Sequence, residues 1–292
     1  MSREELELTK LYIPKISREK YILVHLKPII RDLENRSIHA GRTMHPEFAQ
    51  HSKLKSKFPD IRLQCLYDVD EDIHPRFLLE LFSSAKILRD EERSIRFYFW
   101  SLNKQFIIPL EYLAHILQTS LGGDCAYSNE YSLESLNRFP EEVYPYQSLI
   151  PTPDEIINDI TINGITEDPL RILKNELQRD FRFWNEVIEC NAIGEETNSQ
   201  YVLASSCHMI YCILNRKPYN FTYFLAKRIT LIKNSLECPL SYGMLLARLF
   251  KHLTLTNPEL IKPKYFPLPH TMLPLDHTNH LYSYPPNSED ED

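Results

Sequence analysis

A chain of 292 residues, 43% hydrophobic and 25% charged with a net charge of −7, can bury a core as one large or two small domains. Its 17 Tyr and 14 Phe argue against wholesale disorder, and its six Gly disfavour a Gly-rich β protein or a phosphate-cradling loop enzyme. There is no run of about eighteen apolar residues to span a membrane, and the charged start MSREELELTK lacks the apolar segment of a secretory signal. The expected location is therefore intracellular, cytoplasmic or nuclear. Six scattered cysteines, at 65, 125, 190, 207, 212 and 238, make no CxxC pair and read as free thiols.

The first expected helix covers 17–36, with Ser17 as its cap and a kink at Pro28. The polar stretch SIHAGRTMHPEFAQHSKLKSKFPD then reads as a linker or arm. A helix over 75–89 starts at Pro75 and turns Phe77, Leu78, Leu81, Phe82, Ile87 and Leu88 inward. From Ser94 the period changes. SIRFYFW alternates charged and aromatic residues, Asn103–Lys104 makes a turn, and Phe106–Ile108 resumes, which together signal a β-hairpin over 94–108. Pro109 and Glu111 open a helix that ends near Gly122–Gly123.

Residues 124–168 are acidic and rich in Tyr and Pro, with a short helix near 153–160. Helices are expected at 169–179, 182–191, 199–215, 220–235 and 240–254, with Asn198 and Asn220 as caps and Pro218 and Pro239 as breaks. The tail from Asn257 is Pro-rich, ends Ser288-Glu-Asp-Glu-Asp292, and is expected to be disordered. The fold class is mainly α, with one small β-hairpin between a flexible N-terminal arm and that tail. The expected division is 1–64 for the N-terminal helix and basic arm, 65–256 for the helical domain, and 257–292 for the tail.

Charge is uneven: +5 over 1–64, −12 over 65–170, +3 over 171–260 and −3 over 261–292. An acidic chain does not favour a phosphate backbone, whose binding depends on Lys and Arg. Arg36, Arg42, Lys53, Lys55, Lys57 and Arg62 could still track phosphates as a local arm, or form a solvated surface. The hairpin aromatics Phe97, Tyr98, Phe99 and Trp100 could stack bases, but with both strand faces aromatic, packing against helices is favoured.

Cys207, His208 and Cys212 on one helix place only two side chains together, short of a closed zinc site. His270, His277 and His280 are too loosely spaced, and Asp68, Asp70, Glu71 and Asp72 lack the spacing and glycine of a calcium loop. No GxSxG, Walker, HExxH or Rossmann glycine pattern occurs, and 95–99 of the expected strand holds no carboxylate. Neither a catalytic residue, nor a metal ligand, nor a cofactor is assigned. Tyr211, Tyr219, Phe221 and Phe224 belong to an aromatic-rich series over 199–254 that reads either as an interface for a protein partner, including a second copy, or as core.

In order along the chain, PRFLLELFSSAKI, FIIPLEYLAHILQTSLGGDCAYSNEYSLESL, PYQSLIPTPDEIINDITI, MIYCILNRKPYNFTYFLAKRI and LSYGMLLARLFKHL resemble plant retrotransposon-derived, gag-like proteins of the plant transposon protein domain family. The resemblance covers about Asp70 to Leu260, and its specificity lies in the joint order of the segments. It implies a mainly helical domain without a defined activity, so no functional residue carries over. The chain lacks the CCHC knuckle, protease motif and polymerase of a complete element. The expected function is a non-enzymatic, gag-like structural or interaction protein acting through protein–protein contacts, self-association being one option; the alternative is a nucleic-acid-binding accessory module of a transposition system, using the arm at 36–62.

Overall fold

The computed structural model describes residues 26–39, 41–44, 53–89, 94–102, 104–123, 125–137, 150–194, 199–235 and 238–258. Pro28 lies in the first turn of the first described helix. It lacks the N–H that a first turn leaves unpaired, so it suits that turn. Helix α1 runs Lys27–Glu34 with the proline in its first turn, and Ile30 and Leu33 are its buried side. Leu26, just before α1, is itself helical in its backbone, and the rest of the expected helix, residues 17–25, lies outside the described residues.

The described part of the expected arm supplies interior side chains. Helix α2, Leu54–Lys57, runs into 3₁₀ turns at Phe58–Ile61 and Gln64–Leu66. Leu54, Phe58 and Leu63 are fully buried in the same core as the later helices, and the Phe58 ring meets Trp184 edge-on at 5.8 Å. Its Lys residues hid this, because single apolar residues among charges do not form a periodic stripe.

Helix α3, Pro75–Ser84, stops before its expected end, and strand β1, Lys86–Arg89, follows at once. Strands β2, Ile95–Ser101, and β3, Lys104–Pro109, complete an antiparallel sheet in the order β1-β2-β3. The expected hairpin is present with Ser101 paired to Lys104. The sheet nevertheless has three strands, because Ile87 and Leu88 pair with Phe97 and Arg96 rather than continuing a helix. Phe97 and Phe99 are fully buried, while Trp100 packs with Leu26 and Ile30 of the α1 region. Both faces are covered, as core packing requires.

Glu80, nearly buried on α3, fixes the turn of this hairpin. Its carboxylate accepts from the Leu102 N–H at 3.0 Å, the Ser101 hydroxyl at 3.0 Å and Arg76 Nε at 3.1 Å. Leu102 sits at φ 52°, a conformation that costs a non-glycine residue energy, and the bond to Glu80 offsets it.

Helix α4, Leu110–Leu117, leaves the sheet directly and is capped by Gln118 in the left-handed region, short of the glycines expected to end it. Helix α5, Pro153–Ile160, has a capping box: Thr152 accepts from the Glu155 N–H, and Glu155 accepts from the Thr152 N–H. The helix expected at 169–179 does not form. Ile172 and Leu177 are buried singly, and the backbone bonds to strand-like neighbours, with Lys174 N–H donating to Gln200 O and Val202 N–H to Ile172 O.

Helix α6, Arg179–Val187, continues as a π-helix through Ile188–Ile193 to Gly194 at φ 73°. Asn191, in that π turn, accepts from the Arg42 N–H and donates to Arg42 O and Leu66 O, tying the N-terminal segment down. Helix α7, Ala204–Leu214, is buried on every side from Ala204 to Ile213; it starts after Leu203, well past Asn198, which is outside the described residues. Helix α8, Phe221–Asn234, is capped by Asn220, whose carbonyl accepts from Tyr223 N–H at 3.0 Å, as expected. Helix α9 covers Gly243–Thr256. Among the described residues, nine helices and one small sheet thus share a continuous apolar core with two small satellites. The expected tail lies outside the described residues beyond Pro258.

Candidate functional site

Two concave surfaces concentrate polar groups. The first is a cleft of about 840 Å³ where three helical segments end. The 3₁₀ turn at Phe58–Ile61 ends at Arg62, α4 ends at Gln118, and α7 is followed by Arg216; all three residues have φ between 54° and 60°. A left-handed residue after a helix turns its N–H back onto the last carbonyls, and the carbonyl end of a helix favours a cation. Arg62 and Arg216 therefore answer helix ends as well as lining the cleft, and Arg216 also pairs with Asp60 at 3.1 Å.

Two histidines reach the same cleft. His115 is exposed on α4, and His252 on α9 shares a hydrogen bond of 2.7 Å between its Nε2 and the Tyr112 hydroxyl. Burial, and then the neighbouring His115, hold the His252 imidazole below its ordinary pKa. That direction favours the neutral imidazole, which can share the bond with Tyr112 in either tautomer. With Asp60, Glu111, Arg62 and Arg216 at its edges, the cleft carries both signs of charge.

The second surface is basic among its described lining residues. A groove of about 740 Å³ between β1 and α8 is lined by Lys86, Arg89, Lys227 and Lys233, with Thr230 and Asn234 beside them and no carboxylate among its described lining residues. Arg89 Nη2 donates to the Tyr223 hydroxyl at 3.1 Å, which holds that guanidinium at the groove wall. Burial first, and then the charge of Lys86, lower the Lys233 ammonium below its ordinary pKa.

The six basic candidates from the sequence do not gather into one arm. Arg36 donates to the carbonyls of Cys238 and Ile232, closing the end of α8. Arg42 is held through its backbone by Asn191. Lys53 pairs with Asp180 at 2.6 Å and, with the half-buried Lys57, lines a small hollow beside Trp184. Lys55 is exposed, and Arg62 belongs to the first cleft. The interface candidates lie inside the molecule: Tyr211 is 5% exposed, and Tyr219, Phe221 and Phe224 are fully buried. Phe221 stacks on Phe224 at 6.0 Å, so their expected outward role gives way to core packing.

Other chemistry-bearing groups are engaged internally. Glu71, from the acidic run, pairs with Lys251 and with Arg248. Buried Glu189 meets Lys174 at 2.9 Å. Burial pushes the Cys65 thiol up to about 12 and the Cys207 thiol well above its usual range, which disfavours the reactive thiolate. None of the six cysteines is joined in a disulfide. Among the described residues no helix is long and apolar enough to cross a membrane, and no group of three or more metal-ligating side chains is found.

Sequence reasoning missed the groove because half of it was assigned to a helix. Lys86 and Arg89 come from the strand taken for the end of α3. On α8 the signal was present: Lys227, Thr230 and Asn234, with Lys233 beside them, share one side of an otherwise apolar helix. No family model matches the chain, and neither the curated proteins nor the solved structures contain a match.

Proposed function

We propose that the protein is a mainly α, non-enzymatic, gag-like structural and interaction protein of the transposon-derived class its sequence resembles, acting through protein–protein contact. The observation that carries this reading is an apolar tip on an ordered support. Ile162 and Ile165 are 46% and 69% exposed, on a tight turn at Asn163–Gly164 after α5. The turn is anchored by Ile162 N–H to Glu176 O at 2.8 Å and by Gln178 to the carbonyls of Asp159 and Thr161. A rigid apolar knob loses little entropy on docking, which favours its use as an anchor. The internal engagement of Glu71, Glu189, Cys65 and Cys207 supports the non-enzymatic part of the reading.

The partner tested first is a second copy. Light scattering of the full chain over a concentration series, at low and moderate salt, is expected to show growth beyond the 34.5 kDa chain mass. Ile162→Ser with Ile165→Ser is expected to abolish that growth with the circular-dichroism spectrum unchanged. A strict monomer at every concentration would refute self-association. The second reading, a nucleic-acid module using residues 36–62, has weaker support, since Arg36 and Lys53 already serve internal contacts. It requires salt-sensitive binding that weakens when Lys53, Lys55 and Lys57 become Ala.

A further inference from the structure

The groove between β1 and α8 places cations from two separate elements side by side. Lys86 and Arg89 come from the strand, and Lys227 and Lys233 from the helix. Lys86 and Lys233 line the same groove, Lys86 exposed and Lys233 half-buried, and Lys233 feels the positive charge of Lys86. Such an arrangement costs stability in the free protein, because like charges in a partly desolvated site disfavour each other. An anion lying between them would reverse the sign of that energy. The remaining lining suits an oxyanion: Arg89 is already oriented by Tyr223, and Thr230 and Asn234 add a hydroxyl and an amide. At about 740 Å³ the groove has room for a phosphate group and the molecule that bears it.

We propose that this groove binds a phosphate group, with Lys86 and Lys233 as its principal charge partners and Arg89 as an oriented donor. The proposal is independent of the apolar tip at 162–165, and it places the phosphate site away from the basic residues at 36–62. The shared chemistry is the phosphate oxyanion, carried either by a small phosphate ester or by a nucleic-acid strand. Two amines and a guanidinium from two elements, rather than a glycine-rich loop, would hold it by charge more than by backbone shape.

The test uses the full chain. Inorganic phosphate is titrated calorimetrically and by thermal shift, in the parent protein and in Lys86→Gln with Lys233→Gln. Saturable binding is expected in the parent, and a loss of about tenfold or more in the variant, the equivalent of at least one charge-assisted hydrogen bond. Without phosphate, the double variant should melt no lower than the parent, because the substitution removes a repulsion; a failure to fold is not expected to obscure the result. Lys55→Gln, on the exposed face of α2, is the control for loss of a surface charge elsewhere and should bind as the parent does.

A nucleoside monophosphate and single strands of increasing length then separate the two sources. Equal affinity for phosphate and monophosphate with no gain from length assigns the site to a small ester. Affinity that rises with length and falls steeply with salt assigns it to a strand. Absence of saturable phosphate binding in the parent, or equal binding by the double variant, would overturn the proposal. The light-scattering result bears on neither outcome, so failure here and failure of the interaction reading are distinguishable.

Discussion

Replacing Glu80 by Ala tests how the sheet is held to the helices. The carboxylate is 8% exposed and receives three donors: the Leu102 N–H, the Ser101 hydroxyl and Arg76 Nε, at 3.0, 3.0 and 3.1 Å. A hydrogen bond to a charged group contributes about 1.5–3 kcal/mol. Arg76 can fall back on Glu34 at 3.5 Å and is partly exposed, so its share is below about 1 kcal/mol. Leu102 and Ser101 are buried, and the low end of that range for each of their two bonds sets the cost. The expected destabilisation is therefore about 3 kcal/mol, a fall in melting temperature of roughly 6–12 °C for a domain of this size. Glu80→Gln keeps an acceptor and should cost about 1 kcal/mol. Urea unfolding gives the magnitude, and amide exchange over β2 and β3 gives the location, with protection lost around Leu102. A cost under about 0.5 kcal/mol with unchanged exchange at the hairpin would refute the anchoring role.

Three other outcomes follow from single positions. At Gly123, φ is 97° and an added Cβ would lie 2.0 Å from the Pro218 carbonyl oxygen, whereas at Gly122 nothing lies within 4 Å. Gly123→Ala should therefore cost more than about 2 kcal/mol and Gly122→Ala little, and equal melting temperatures would contradict the packing of this turn on Pro218. Burial raises the Glu189 carboxyl above its usual 4.5 despite Lys174, so the folded state binds the extra proton. That contribution is fully present below pH 4.5 and is lost as pH rises through the folded value. Glu189→Gln should flatten the fall in stability on the high side of pH 4.5, and an unchanged pH profile would count against it. Cys238 is half-buried while the other five thiols are buried. A thiol reagent should modify one cysteine rapidly in the native protein and six after denaturation, and rapid reaction of two or more would contradict the core.

The parts of the fold that the sequence made visible are those whose signal is local. The Asn220 cap and the break at Pro218 set the start of α8, and the short helix expected near 153–160 is α5. The alternation of 95–101 reports a strand because its period is two, and a short turn after Ser101 leaves one register. The segment 86–89 could not be assigned this way. KILR continues the apolar spacing of α3, and only pairing with β2 makes it a strand. RILKNELQ likewise has helical spacing but bonds to the chain around Gln200 and Val202.

Side-chain partners set the limit on reading the sites. Tyr219 and Phe224 have the composition of an interface, and whether such rings face a partner or their own core depends on which helices surround them. Lys53 sits in a basic run, yet its nearest counter-charge, Asp180, lies across the chain on α6. By itself the sequence determined the helix-rich composition, the Asn220 cap, the β2–β3 hairpin and the charge of each segment, because those are set by neighbours within a few residues. Only the tertiary structure decided that β1 exists, that the aromatics of α7 and α8 are interior, and that Lys86 and Lys233 line one groove. Each of those depends on the pairing of distant surfaces, where hydrogen bonds and burial outweigh local propensity.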